Sequence, residues 1–471
     1  MMILRGWPSL PSRQSCIAIL GIAGLLYPAI WTPFVRAQST LQSRTTVTID
    51  GTHQLQTLDG VGVNINSLSW KDGEGRRAID LLADQMGTTL WRVVFDMEDW
   101  EATNDNADPM LADDSYYRTI YSSAKFQHLW GTLRYLNQRR FSYGVAISFM
   151  GRVPPWMGGS VINPASEDEW VEMMTTFVAY ARDVEHVSFE MLDPLNEPDW
   201  DGLEGPKVGA VQYARLLHKL AARLDALGYR DVRFLGPNTA DLRAGVSDYI
   251  PALMADPAVI GRIDHFGLHS YGADTGGANE AIKASRYPGK NFWMTEFSLP
   301  GDIPNLLRGN SSALIMWDGY DSVYNHAILG GHGDRPPNDA GNGPAPLSYD
   351  SRTRNYSPRP EFYQFAALFK YVPRGSRRIE AASSNSDLSV FAFTHEATGR
   401  VTLVGRNRAA AAVAVLATFD SIRVPALMDV VATQALALVR AGDVAIAHNR
   451  VSFTVPGDSY FAVTGIAKRK E

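Results

Sequence analysis

Eight short apolar runs recur between residues 61 and 317, and several are separated by longer amphipathic stretches. The runs are Val61–Ile65, Leu90–Phe95, Gly144–Phe149, Phe189–Leu195, Val232–Leu235, Phe266–Leu268, Phe292–Thr295 and Ala313–Trp317. They are rich in β-branched and aromatic residues, as strands buried on both faces require. Between them, Gly75–Met86, Lys125–Gln138, Glu167–Val184 and Val208–Leu227 place apolar residues three and four apart, the spacing of one helix face. Ser166 followed by Glu169 has capping-box spacing and predicts a helix start; Gly228 predicts a left-handed helix end. Strands alternating with helices form parallel βα units, and eight units over this length predict an α/β fold, a closed (β/α)₈ (TIM) barrel. An open doubly wound sheet is the alternative. Against it, Gly60 and Gly62 lack the third glycine and the helix start of a dinucleotide-binding turn.

Beyond Glu361–Tyr371 the period changes from helical to two. Leu388–Phe393, Val401–Val404, Val444–Ala447, Val451–Val455 and Tyr460–Val463 alternate, with turns such as Ala397-Thr398-Gly399 between them. This predicts an antiparallel C-terminal β-sandwich as a side domain. Thr45–Ile49 and Leu55 are also strand-like and are expected to join it. The expected division is a signal over 1–37, an N-terminal strand segment over 38–57, the barrel over 58–372 and the sandwich over 373–471. Gly330–Tyr356 is long for a loop and rich in Gly, Pro, Asn and Asp.

Residues 1–37 read as an export signal: Arg5 and Arg13, an uncharged apolar stretch from Ile17 to Leu26, and Val35-Arg36-Ala37 before Gln38. A retained membrane anchor is the alternative, and Pro28 and Pro33 weigh against a spanning helix. Cys16, the one cysteine of the chain, lies inside this segment, so a mature chain has neither disulfide nor thiolate chemistry. Cleavage would remove three arginines and no acid, taking the formal charge from -6 to -9. With no basic cluster, nucleic acid is not an expected partner. The expectation is a secreted or periplasmic protein, a monomer free of the membrane once the signal is gone.

In such a barrel, side chains at the carboxyl ends of the strands face the active site. The fourth run ends in Leu195-Asn196-Glu197-Pro198 and the seventh in Trp293-Met294-Thr295-Glu296. Two strand-end glutamates, each next to an apolar run, are poorly explained as solvated surface charges. Cleavage of a glycosidic bond through a covalent intermediate needs such a pair, about 5–5.5 Å apart. One carboxyl protonates the leaving oxygen; the other, ionised, attacks the anomeric carbon.

Asn196-Glu197-Pro198 with Glu296 resembles clan A of the glycoside hydrolases, and most nearly family 30, with family 39 and family 5-like members as neighbours. Leu58-Asp59-Gly60-Val61-Gly62 resembles that family's lead into the barrel, and Pro154-Pro155-Trp156-Met157 its substrate-contacting loop. The resemblance implies a retaining hydrolase of β-linked polysaccharide or oligosaccharide, with Glu197 as acid/base and Glu296 as nucleophile. It also implies that Asn196 binds the sugar 2-hydroxyl, that Arg92 keeps Glu296 ionised, and that His269 and Tyr271 form the clan's His-x-Tyr. Trp317 would floor the sugar site. Trp70, Trp100, Trp156 and Trp200 fall in predicted loops at the same face, where aromatic rings suit a carbohydrate cleft. No metal or cofactor is expected: Asp334, Asp339, Asp350, His326 and His332 match no known cation loop. One departure concerns Phe297–Ser312, which is short and holds Pro300 and Pro304, so the seventh helix is expected to be reduced. Transglycosylation and a non-catalytic carbohydrate-binding barrel are the competing readings.

Overall fold

The computed structural model describes residues 44–97, 100–200, 204–321, 345–350 and 352–468. The expected signal, and His326, His332, Asp334 and Asp339, lie outside the described residues; Asp350 caps a turn by accepting from the Arg352 amide. Among the described residues, no helix is long and apolar enough to cross a membrane.

Strands β2 (Gly60–Asn66), β3 (Leu90–Asp96), β4 (Val145–Met150), β5 (Met191–Asp193), β6 (Arg233–Thr239), β7 (Ile263–His269), β8 (Phe292–Glu296) and β9 (Ala313–Met316) form a closed barrel. They follow β1 (Thr45–Leu58). All eight apolar runs are barrel strands, and every neighbouring pair is parallel, β2 and β9 closing the ring. Side chains alternate across a strand, so residues two apart share a face. Leu90, Ala146, Met191, Leu235, Trp293, Ala313 and Ile315 pack together as an apolar layer inside the barrel. One stride further along β3, β4 and β5 stand Arg92, Ser148 and Asp193, all fully buried or nearly so. The interior therefore changes from apolar to polar toward the carboxyl ends of the strands. At Gly62 a Cβ would lie 2.3 Å from the Leu90 carbonyl oxygen, so the approach of β2 to β3 admits glycine alone.

Outside the barrel, helices Ala124–Gln138, Glu167–Ala179 and Ala210–Ala226 bury one face each. The expected capping box is not formed. Ser166 ends a short 3₁₀ turn, Pro164–Ser166, and its side chain makes no cap hydrogen bond. The first helical turn instead carries Glu167, Asp168 and Glu169, whose charge favours a helix start. Gly228 has φ of 90°, the left-handed conformation expected of it. Between β8 and β9 only a 3₁₀ turn and the helix Ile303–Arg308 remain, so the seventh helix is reduced.

After a hairpin of β10 (Leu347–Asp350) and β11 (Asn355–Pro358), helix Pro360–Phe369 leads into β12 (Ser376–Ser383), β13 (Leu388–His395), β14 (Arg400–Asn407), β15 (Val413–Asp420), β16 (Leu427–Gln434), β17 (Ala437–Ala445), β18 (Arg450–Val455) and β19 (Ser459–Ile466). With β1 these form one nine-stranded sheet, in the order β17-β16-β19-β14-β13-β12-β1-β15-β18. β1 pairs antiparallel with β12 and parallel with β15. The sheet curls over its own core: Phe453 of β18 and Phe461 of β19 are far apart in strand order, yet their ring centroids are 6.1 Å apart. Val47, Leu403, Val415 and Val463 fill the same core. The result is a two-layered, sandwich-like region.

Because Phe461 is fully buried there, Phe461→Ala should remove about 3–5 kcal/mol of stability. Urea unfolding would register this as a lower midpoint; an unmoved midpoint would contradict the packing.

Candidate active site

The polar layer above the apolar one is organised by Arg92, which has no solvent exposure. Its Nε and Nη2 donate to Asp193 Oδ2 at 2.9 and 2.7 Å, and its Nη1 donates to Glu296 Oε1 at 2.7 Å and to Asn64 Oδ1 at 2.8 Å. Nη2 also donates to Asn196 Oδ1 at 2.5 Å. A buried guanidinium is tolerated only when its charge and its N–H groups are met. Burial pulls the Arg92 pKa down, but the charges of Asp193 and Glu296 outweigh it and raise it. For Asp193 burial prevails and raises the pKa, against the opposing pull of Arg92 and Ser148. Ser148 Oγ donates to Asp193 Oδ2 at 2.6 Å.

Glu296 ends β8 where the pairing with β7 slips between Leu268 and His269, so that His269 stands opposite Glu296 and not opposite Thr295. Both of its oxygens are held: Oε1 by Arg92, and Oε2 by the Tyr271 hydroxyl. Burial, and then the charge of Glu296, push the Tyr271 phenol well above its usual range, so it remains a donor. Its ring is still 44% exposed.

Glu197 follows β5 with φ of 42°, a left-handed conformation uncommon for a residue with a side chain. Its amide donates to the Asn238 carbonyl at 3.0 Å, which fixes the backbone at that point. Its Oε1 lies 2.8 Å from His269 Nδ1, while His269 Nε2 lies 3.4 Å from Glu296 Oε1. One oxygen from each carboxylate and one His269 nitrogen all lie within 4.8 Å of one another. Burial lowers the His269 pKa to about 4, despite the attraction of Glu296. The ring is therefore neutral at pH 7 and carries a single proton. A proton on Nε2 leaves the Nδ1 lone pair facing Glu197, an arrangement that suits a protonated Glu197 carboxyl. The trio could also offer one atom each to a cation, but the Arg92 guanidinium already supplies positive charge at Glu296 Oε1.

Glu197, Glu296, Arg92, Asn196, His269 and Tyr271 thus converge as a single cluster. Trp317 directly follows β9, partly buried, its amide donating to the Phe297 carbonyl at 2.8 Å. Trp200 is 50% exposed, and its amide donates to the Glu197 carbonyl at 3.0 Å. Trp156 is half-buried, with Nε1 donating to the Glu101 carbonyl at 3.0 Å. Trp70 and Trp100 do not line a cleft. Trp70 is buried against Tyr135, and Trp100 lies among Phe95, Phe149 and Phe177 in the packing between barrel and helices. Sequence reasoning missed Asp193 and Asn64. Each is a polar residue one stride beyond an interior position of its strand, Met191 and Gly62, and that stride was the available signal.

No family model and no curated protein matches the sequence. Solved structures do match the fold. A glycoside hydrolase family 30 subfamily 8 xylanase from Clostridium acetobutylicum aligns with TM-score 0.67 at 19% identity, over 90% of this chain and 100% of that one. An endo-β1,6-glucanase aligns with TM-score 0.65 at 15% identity, over 90% of this chain and 94% of that one. A family 39 enzyme from Xanthomonas axonopodis pv. citri aligns with TM-score 0.57 at 16% identity, over 89% and 96%. The chain therefore shares the fold of clan A glycoside hydrolases, with a higher score to the family 30 xylanase than to the family 39 enzyme.

The neutral His269 has a measurable consequence. An unfolded histidine takes up a proton near pH 6.5 and the folded one near 4, so its contribution to stability is intact above about 6.5 and lost as pH falls to about 4, a difference on the order of 3 kcal/mol. NMR titration of the His269 ring should give a midpoint near 4; a midpoint above 6 would refute the neutral assignment.

Proposed function

We propose that this protein is a secreted retaining glycoside hydrolase acting on β-linked polysaccharide or oligosaccharide, with Glu197 as acid/base and Glu296 as nucleophile. The observation that supports the proposal is that one oxygen of each carboxylate lies within 4.8 Å of the other, with a His269 nitrogen within the same distance of both. An inverting enzyme must lodge a water between its two carboxyls and needs about 6.5–9.5 Å; a covalent intermediate needs about 5–5.5 Å.

The surroundings of the two groups match different tasks. Glu296, gripped by Arg92 and Tyr271, is a fixed anion able to attack the anomeric carbon and form a glycosyl ester. Glu197, facing a neutral imidazole, is the group able to give its proton to the departing glycosidic oxygen. In the second step Glu197 takes a proton from water, the water oxygen bonds to the anomeric carbon, and the ester bond to Glu296 breaks. The net result is hydrolysis with retained configuration. Asn196, whose amide oxygen accepts from Arg92 and whose NH₂ group donates to the Glu204 carbonyl at 3.3 Å, would meet the sugar 2-hydroxyl through its second N–H. Export rests on the N-terminal sequence alone, and a mature chain beginning at Gln38 is its expected signature.

A panel of β-glucans, xylans and galactans, with the product anomer followed by NMR, tests the reaction; an initial product of inverted configuration would refute it. Glu197→Ala should lose on the order of 10²–10⁴-fold in turnover and regain it with azide on an activated aryl glycoside, yielding a β-glycosyl azide. A fluorosugar should trap Glu296, and labelling of another residue would overturn the pairing. Binding without turnover by the intact protein would favour the non-catalytic reading.

A further inference from the structure

Glu101 and Asp105 follow β3, and Glu169 and Glu172 stand three apart on one face of helix Glu167–Ala179. One oxygen each from Asp105, Glu169 and Glu172 lies within 4.8 Å of the others. Glu101 is 1% exposed and Glu172 2%. Among the described residues, Glu101 Oε1, Glu172 Oε1, Glu169 Oε2 and the Asn104 amide oxygen are buried without a hydrogen-bond partner. The charge of Glu101 is felt together with those of Glu172, Asp105 and Glu169, so all four share one region. Arg223 acts on Glu172 from a distance, its Nη2 engaged by the Met110 carbonyl, and forms no ion pair with any of the four among the described residues. Asp105 accepts at Oδ2 from the Asp113 amide and the Asn106 side chain and at Oδ1 from the Asn106 amide, which leaves capacity for a further contact at Oδ1.

Buried carboxylates of like sign need protons or a cation. A proton shared between Glu169 and Glu172 would serve that pair alone, and Glu101 Oε1 and the Asn104 amide oxygen would still lack a hydrogen-bond partner among the described residues. The donors are all oxygen, four carboxylates and a neutral amide, which is hard-cation chemistry. Calcium takes six to eight oxygens at 2.3–2.6 Å, so opposite ligands lie about 4.8 Å apart; magnesium demands a tighter octahedron and keeps more water. A cleft of about 240 Å³ lined by Tyr117, Glu172 and Arg223 reaches one member of the cluster, Glu172.

We propose that Glu101, Asn104, Asp105, Glu169 and Glu172 form a calcium site that fastens the segment after β3 to helix Glu167–Ala179. The Glu101 carbonyl also holds the Trp156 indole, so the site anchors one of the aromatic side chains expected at the sugar cleft. The site does not depend on the glycosidase reading, and its test needs no substrate.

Full-length protein stripped with chelator and titrated with calcium chloride should bind one ion per chain by calorimetry, with a rise in Tm that excess chelator reverses. Terbium should bind in its place and luminesce when Tyr117 and Trp100 are excited. Glu169→Gln, at a partly exposed position, should weaken calcium binding on the order of tenfold or more. Glu172→Gln should abolish the calcium-dependent rise in Tm. No heat and no Tm response in the parent protein would overturn the proposal. So would calcium binding that both variants leave unchanged, or magnesium binding as tight as calcium binding.

Discussion

The buried Arg92 guanidinium is the contact on which the candidate site depends. It ties β3 to β2 through Asn64, to β5 through Asp193 and to β8 through Glu296, and it reaches Asn196 beyond β5. A cation in a barrel interior is costly unless several elements face it with acceptors at once. Those elements are therefore held in one mutual arrangement, and the same arrangement fixes Glu296. Stability and geometry are here one requirement: the group that must be neutralised for the barrel to close also aims the carboxylate.

The apolar layer beneath supplies the other half of that requirement. Leu90, Met191, Leu235, Trp293 and Ile315 exclude water from below, which strengthens every charge–charge contact above them. His269 illustrates the effect. Between two carboxylates an exposed histidine would be protonated, yet full burial keeps this one neutral. A polar cluster on an apolar floor thus places two chemically alike carboxyls in unlike settings, one beside a cation and the other beside an uncharged ring.

The barrel was legible because strands buried on both faces leave unbroken apolar runs, and all eight runs are strands. Glu197 and Glu296 were legible because carboxylates directly beside such runs have few other places to go, whereas Arg92, His269 and Tyr271 were reached only through the resemblance. Asp193 and Asn64 were not legible, because a linear pattern does not tell which neighbour a strand residue faces. Trp70 and Trp100 misled for a related reason: segments without periodicity can still fold back onto the helices and bury their aromatics. β15 was missed beside the alanine-rich stretch Ala409–Ala414, where a methyl group on either face hides the alternation. The Ser166 cap failed because Pro164 favours a preceding 3₁₀ turn, which takes Ser166 out of the extended conformation a cap needs.

The place of β1 has a consequence for how the chain folds. It sits between β12 and β15, so the earliest described residues hydrogen-bond to residues more than three hundred positions later. Closing so long a span is slow compared with pairing adjacent hairpins. β1 can be paired on both sides only once β12 and β15 are present, so the two flanks of the sheet unite across it late in folding.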